Sequence, residues 1–474
     1  MRSFSQPDQP AQPALLGEHL DAALEALRLW LPQQEWYVGG PAAPQHLEIV
    51  HAAVLRDDDP VLVDLLVDSG PSGDARALYQ LPLAWRSDAT ATPPPPATGA
   101  SVGVVGGRHL YDATEDPELM TWVLSRLAEG AVVAGVQFRP GPGAVMGVGD
   151  PPLRQTTPQR NTSVLFGECC ILKFYRRLDV GPNPEIELLR ALAEAGNMQV
   201  PTPRGAMHTE TPLGPVDLAN LEEFIPSGTD GWRMASASVR DLYAEGDLYA
   251  EEVGGDFAAE AFRLGEVVAG MHHDLAATLG SDTLAPAGVA DRIGRAQGRL
   301  EQTAAEVPAV AELLDPLMSE MEAARSAAEE IPIQRIHGDI DLTEVLRTLR
   351  GWVIIDFEGD PRLSLAERRR MRSPMRDVAG LLRSLDYAAR HMLIGLTGDN
   401  RLAVRAGDWI TRNREALLSG YQKVRPVSDA EVRMLRVLEL DKAVGEALHE
   451  ARYRPSWLSV PMGYLEEHEE RRDA

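Results

Sequence analysis

Two short segments near residue 350 hold carboxylates in an arrangement that could do chemistry on a hydroxyl. HGDIDLTEVL at 337–346 places Asp339 two residues after His337 and adds Asp341 and Glu344, and GWVIIDFEGDP at 351–361 ends an apolar run on Asp356 and Glu358. A carboxylate can take a proton from an acceptor, and neighbouring carboxylates can hold a hard divalent cation. Either aspartate alone would also read as a strand-end cap. A third feature is Lys173, inside the apolar run CCILKFY, followed after ten residues by NPEIELLRALAEAG with Glu187 in its first turn.

These residues need a frame that brings distant stretches together. SVLF and CCILKFY read as two strands separated by Gly167 and Glu168, with glycine at the first turn position as a tight hairpin prefers. In the following helix Asn183 suits the cap, Pro184 the first helical position and Gly196 the exit. Beyond about residue 225 the pattern is mostly helical: Phe257, Ala261, Leu264, Val268, Met271 and Leu275 recur at three- and four-residue steps and predict one core-facing stripe. IQRIHGD (333–339) and WVIIDFEG (352–359) read as two short strands forming an embedded hairpin. Strands with one helix, followed by a helical half, predict an α+β fold in two lobes.

A chain of 474 residues is long enough for two or three domains. Residues 15–31 predict a helix and 61–67 a strand, and TATPPPPATGASVGVVGG within 89–107 reads as an extended linker. The expected divisions are therefore 1–105, 106–225 and 226–474, with a second punctuated stretch, RPGPGAVMGVGDPP, at 139–152. A formal net charge of −25 disfavours nucleic acid and anionic membranes as partners. Cys169 and Cys170 are adjacent and offer no disulfide framework, and no stretch reaches the roughly 18 apolar residues of a membrane span. A cytoplasmic protein, monomeric or homodimeric, is expected. His272 and His273 lack metal-ligand spacing, and the arginines within 368–372 read as a solvated loop.

The HGD and DFEG blocks together resemble the aminoglycoside-phosphotransferase branch of the kinase-like superfamily. Similarity to maltokinases runs over nearly the whole chain, through WLPQQEWYVGG, YDATEDPE, QRNTSVLFGE, ILKFYRRLDVGPNPEIEL, EEFIPSGTDGW, SPMRDVAGLLRSLDYAA and ARYRPSWL. The resemblance implies a two-lobed, protein-kinase-like core with an N-terminal cap, using ATP and Mg2+ to phosphorylate a sugar. It implies that Asp339 orients or deprotonates the acceptor, that Asp356 holds magnesium with Glu344 or Glu358, and that Lys173 contacts the nucleotide phosphates while pairing with Glu187. It also implies that Glu222, Glu223 and Phe224 receive adenine through backbone groups and that Gln159 to Ser163 cover the phosphates; His337 reads as a structural histidine that braces the catalytic loop rather than as an acid or base. Neither a Walker-type loop nor a G-x-G-x-x-G loop is present.

The departures from the maltokinase pattern bear on the acceptor. Maltokinases typically read HGDYHLGQ where this chain has HGDIDLTE, which adds Asp341 and Glu344. They also carry a tyrosine after DKAV, where this chain has Gly445 amid Lys442, Glu446 and His449. Ionised carboxylates accept but do not donate, so extra ones favour a ligand bringing donors and positive charge. The pattern is similar to the actinobacterial glucosamine kinases related to maltokinases. That resemblance implies conversion of glucosamine to glucosamine 6-phosphate, with Asp341, Glu344, Lys442, Glu446, Arg452 and Trp457 shaping the sugar site. The alternatives are a maltokinase forming maltose 1-phosphate, an aminoglycoside kinase, and a catalytically silent binding protein.

Overall fold

The computed structural model describes residues 14–70, 77–87, 99–142, 151–156, 160–226, 228–245, 252, 255–395 and 400–473. The chain forms two compact units, Met1–Glu187 with Pro201–Pro226, and Leu188–Val200 with Ser227–Ala474.

In the first unit, helix α1 (Ala14–Trp30) precedes strands β1 (Glu48–Arg56), β2 (Val61–Asp68), β3 (Leu78–Ser87), β4 (Ser101–Val105) and β5 (Arg108–Asp112), joined antiparallel in the order β1-β2-β3-β5-β4. The β2 sequence VLVDLLVD has no polar face because both sides of the strand are covered. Val61, Val63, Leu65 and Val67 pack with Leu27 and Trp30 of α1. Leu62 and Leu66 point the other way, into a core with Leu119, Val123 and Phe138. Asp64 interrupts that second face. Gln80 Nε2 donates to it at 2.9 Å, and burial pushes its carboxyl up to about 7.

Helix α2 (Pro117–Glu129) begins where Asp116 accepts from the Glu118 amide at 2.9 Å and ends at Gly130, whose φ is 66°. A second antiparallel sheet follows, built from β6 (Val132–Val133), β7 (Val136–Pro140), β8 (Leu153–Arg154), β9 (Thr162–Phe166), β10 (Cys170–Phe174), β12 (Pro203–Thr211) and β13 (Gly214–Glu223). Its order is β6-β7-β12-β13-β10-β9-β8, while the intervening β11 (Arg177–Leu178) pairs with β3. Helix α3 (Pro184–Glu194) lies between β11 and β12, and the division between units falls within it, after Glu187.

Two expectations for this unit need correction. Residues 101–107 are not linker, because β4 and β5 form a hairpin turned by Gly106 and Gly107, so a boundary at 105 would cut a paired hairpin. The turn between β9 and β10 has three residues, since Phe166 pairs with Cys170 and the Cys169 amide donates to Phe166 O at 3.3 Å. The proline run 93–96 and most of 139–152 lie outside the described residues.

The second unit contains β14 (Thr229–Asp230), α4 (Gly231–Ala244), α5 (Ala258–Leu279), β15 (Ser281–Leu284), α6 (Pro286–Glu306), α7 (Pro308–Glu312), α8 (Leu314–Ser326), β16 (Ile331–Gln334), β17 (Val345–Thr348), β18 (Gly351–Ile354), α9 (Leu365–Arg368), α10 (Met375–Arg390), α11 (Asn400–Val424), α12 (Asp429–Tyr453) and α13 (Ser459–Asp473). The apolar stripe of α5 is buried. Gly265 of α5 and Gly420 of α11 let the helices meet backbone to backbone, because a Cβ on either would overlap Leu417 O or Phe262 O. The two short strands near the acidic segments are not partners: β16 pairs with β15, and β18 pairs with β17. Asp339 therefore lies in a loop beyond β16, and Asp356 lies just past β18. No helix among the described residues is long and apolar enough to cross a membrane.

Candidate active site

The loop carrying Asp339 is pinned through its backbone. Asp377, buried in the first turn of α10, accepts from the His337 amide at 2.9 Å and the Gly338 amide at 2.8 Å. Its Oδ2 also lies 3.0 Å from His272 Nε2, whose Nδ1 lies 2.9 Å from the Tyr421 hydroxyl. Burial drives the Asp377 carboxyl upward, but His272, His337 and the Gly338 amide outweigh it and hold the group below its ordinary range. His272 is thus part of the brace, a role its place in an apolar helix did not reveal.

His337 links this loop to the second acidic segment. Its Nε2 lies 2.9 Å from Ile355 O, which can only accept, so Nε2 carries the proton and Nδ1 receives the Asp339 amide at 3.4 Å. Its ring packs against Phe357 with centroids 4.7 Å apart. Between Ile355 and Phe357, Asp356 adopts φ +60°, a left-handed conformation that costs a non-glycine residue about 1 kcal/mol or more. The pinned neighbours on both sides hold it there.

Asp339 itself is left open. No described residue hydrogen-bonds to its carboxylate, and the group is mostly shielded from water. Burial, then the Asp360 charge, pushes it up to about 6, against the opposing pull of Lys442 and Arg362. Asp360 is held by Arg362 through bonds of 2.9 and 3.0 Å. A carboxylate of this kind is ionised at neutral pH yet basic enough to take a hydroxyl proton.

Asp356 and Glu358 bring carboxylate oxygens within 4.8 Å of each other, a hard-oxygen donor set suited to Mg2+. Glu344 does not complete a three-carboxylate cluster with them. Its Oε1 accepts from Thr343 Oγ1 at 3.2 Å, and its carbonyl accepts from the Ile355 amide at 3.0 Å. Asp341 also works locally, with Oδ1 accepting from the amide and the hydroxyl of Thr343, both at 2.6 Å.

In the first unit, Lys173 sits opposite Ser163 in the β9–β10 ladder, and its Nζ lies 2.6 Å from Glu185 Oε1. The sequence pointed to Glu187, and Glu185 is a partner of the lysine that it did not predict. The two glutamates are two positions apart in the first turn of α3 and so face different sides of the helix. Glu185 is the fully buried one. It also accepts from the Tyr175 hydroxyl at 2.7 Å, and its amide is capped by Asn183 Oδ1 at 2.9 Å. Ser163 is buried in β9 rather than placed in a covering loop, and Gln159 lies outside the described residues. In the hinge, the amides of Glu223 and Phe224 already donate to Thr202 O at 2.9 Å and Cys169 O at 3.1 Å. Glu222 Oε2 accepts from Asn220 at 2.8 Å. The amides of Glu223 and Phe224 are thus engaged within the protein.

Among the proposed sugar residues, Lys442 and Glu446 stand one turn apart on α12. Buried Arg383 donates to Glu446 Oε2 from Nε at 3.0 Å and Nη2 at 2.8 Å. A Cβ on Gly445 would meet nothing within 4 Å, so the position at which maltokinases carry tyrosine is open. Arg452 is a correction. It is half exposed and forked onto Glu306 of α6 at 2.7 and 2.8 Å, which leaves it on an outer face of α12. Trp457 stacks with His391, centroids 6.0 Å apart, and lies under the Arg454 guanidinium at 4.6 Å. In the arginine run, Arg368 donates to Glu358 O at 2.9 Å, which ties that loop to the metal-side segment.

Residues 30–116 match the family model of the maltokinase N-terminal cap domain. The chain is 31% identical over 314 residues to a glucosamine kinase of Streptacidiphilus jiangxiensis, an alignment covering 64% of this chain and 70% of the relative. It is 30% identical over 318 residues to a glucosamine kinase of Mycolicibacterium smegmatis, covering 65% and 76%. Among solved structures, a glucosamine kinase in complex with glucosamine, ADP and inorganic phosphate superposes with a TM-score of 0.68 at 23% identity, covering 94% of this chain and 98% of the other. A second crystal form of glucosamine kinase gives 0.69 at 24% identity, covering 91% and 96%. The α+β, kinase-like fold with its N-terminal cap is shared with these proteins.

Proposed function

The chain belongs to the maltokinase-like sugar kinases that include those two relatives, ATP-dependent phosphotransferases with a sugar hydroxyl as acceptor, and we propose that its own acceptor is glucosamine, converted to glucosamine 6-phosphate. The observation that carries the acceptor is Glu446. Arg383 holds its Oε2, while no described residue donates to its Oε1, so one carboxylate oxygen remains to accept from an ammonium group.

In this reading Asp339 takes the proton of the attacking hydroxyl, and the Asp377 and His337 contacts fix its backbone before substrate arrives. Asp356 and Glu358 would hold Mg2+, which supplies charge neutralisation for the phosphoryl group. Lys173, oriented by Glu185, binds nucleotide phosphate. Asp341 contributes by shaping the loop through Thr343 rather than as the principal amine acceptor.

The test is ADP release by the full chain with ATP and Mg2+ on glucosamine, glucose and maltose compared side by side. Preferred turnover of glucosamine with phosphate on the 6-hydroxyl is expected. A strong preference for maltose would replace this reading with the second one, maltokinase, which the cap match at residues 30–116 favours.

A further inference from the structure

Two helices carry matched pairs along the catalytic loop. On α10, Gly380 lies against Ile340 O and next to Lys442 Nζ, so closely that a Cβ there would overlap the carbonyl and stand 3.4 Å from the amine. One turn further, Ser384 Oγ accepts from the Leu342 amide at 3.1 Å, and Arg383 forks onto Glu446. On α12, Lys442 and Glu446 are spaced by the same turn. The contacts at 380 and 383 on one helix therefore meet those at 442 and 446 on the other, and they set Glu446 beside the loop that bears Asp339. Lys442 and Arg362 each act electrostatically on both Asp339 and Glu446.

Arg383 is fully buried, and contacts beyond Glu446 restrict its guanidinium. The Tyr464 ring covers its guanidinium at 4.2 Å, and its Nη1 lies 3.5 Å from Asp386 Oδ2. Both of its donors to Glu446 converge on one oxygen, whereas a freely adjusting pair would share the two carboxylate oxygens in a fork-to-fork bond. The clamp thus fixes which oxygen is spent and which is presented.

We propose that Arg383 is a positioning residue for acceptor selectivity, clamping Oε2 of Glu446 so that Oε1 is turned out as the ammonium acceptor. The inference rests on the glucosamine reading above and names the residue that makes it selective. A lysine at 383 keeps the charge but loses the planar fork, so it cannot hold the carboxylate in one rotation. Tyr464 restrains the guanidinium from the opposite side, and its loss should act in the same direction with a smaller effect.

The experiment measures kcat and KM for glucosamine, glucose and ATP in wild type, Arg383→Lys and Tyr464→Leu, with retention of the ADP-induced thermal shift as the check on folding. Arg383→Lys is expected to lower the glucosamine-to-glucose ratio of kcat/KM by about tenfold through KM for glucosamine, and Tyr464→Leu by about threefold, while KM for ATP changes by less than about twofold. A general loosening of the fold would move both sugars together and leave the ratio alone. A folded Arg383→Lys enzyme with the wild-type ratio would overturn the inference and leave the glucosamine reading standing. If that variant does not fold, an unchanged ratio in Tyr464→Leu overturns it instead. A wild type that does not distinguish the two sugars removes the substrate reading and, with it, this inference.

Discussion

Glu185 and Asp339 are both shielded carboxylates assigned to the same reaction, yet their surroundings are opposite. Glu185 is paired with the Lys173 ammonium and the Tyr175 hydroxyl, while its own amide is capped by Asn183. Asp339 has an equally well fixed backbone but no hydrogen bond to its carboxylate from any described residue, and burial with the Asp360 charge pushes it up to about 6. The difference separates two duties. A group that only positions another charge gains from full pairing, whereas a proton acceptor must keep a lone pair unused until substrate supplies the proton.

Substitutions can break this contrast. The largest effect is expected for Asp339→Asn, with kcat falling about 1,000-fold, within the usual range for loss of a general base, while the ADP-induced thermal shift persists. Retained turnover would show that Asp339 is not the proton acceptor. Glu185→Gln should instead act on stability and nucleotide affinity together, because Lys173 loses its buried partner: about 3 kcal/mol of unfolding free energy and a several-fold rise in KM for ATP, read by denaturant melts and steady-state kinetics. The smallest effect sharpens the comparison by its sign. Because the folded Asp339 pKa is raised from 3.8 to about 6, its ionisation opposes folding, with no cost below about pH 4 and the full cost above about pH 6. At pH 7.5 Asp339→Asn should therefore raise the melting temperature by about 2 °C, corresponding to roughly 1 kcal/mol after allowance for solvent screening. A lower melting temperature would contradict the uncompensated state of this carboxylate.

Much of this was legible where the signal is local. The Asn183 cap, the Gly196 exit and the α5 stripe follow from chain-neighbour chemistry, and the structure places each as its spacing requires. The HGD and DFEG blocks likewise pointed to a kinase-like core. What the sequence could not show were partners chosen by the fold. That Lys173 meets Glu185 depends on the angle at which α3 leaves its cap. The partner of β16 is β15, some fifty residues earlier, not the nearer apolar run. Asp377, His272 and Arg383 lie on helices, and their polar duties emerge only when Asp377 meets two loop amides and His272, and Arg383 meets Glu446. Arg452 is near Glu446 in sequence, but six residues further along one helix is a different face.

The most direct test of the central claim is the pH dependence of kcat/KM in the full chain with ATP and Mg2+, from pH 5 to 8, with enzyme stability verified at each pH. The open, upward-shifted carboxylate of Asp339 predicts a single-proton acidic limb with its midpoint near 6, activity falling tenfold for each further unit of acidity. Activity that stays level down to pH 5 would contradict it.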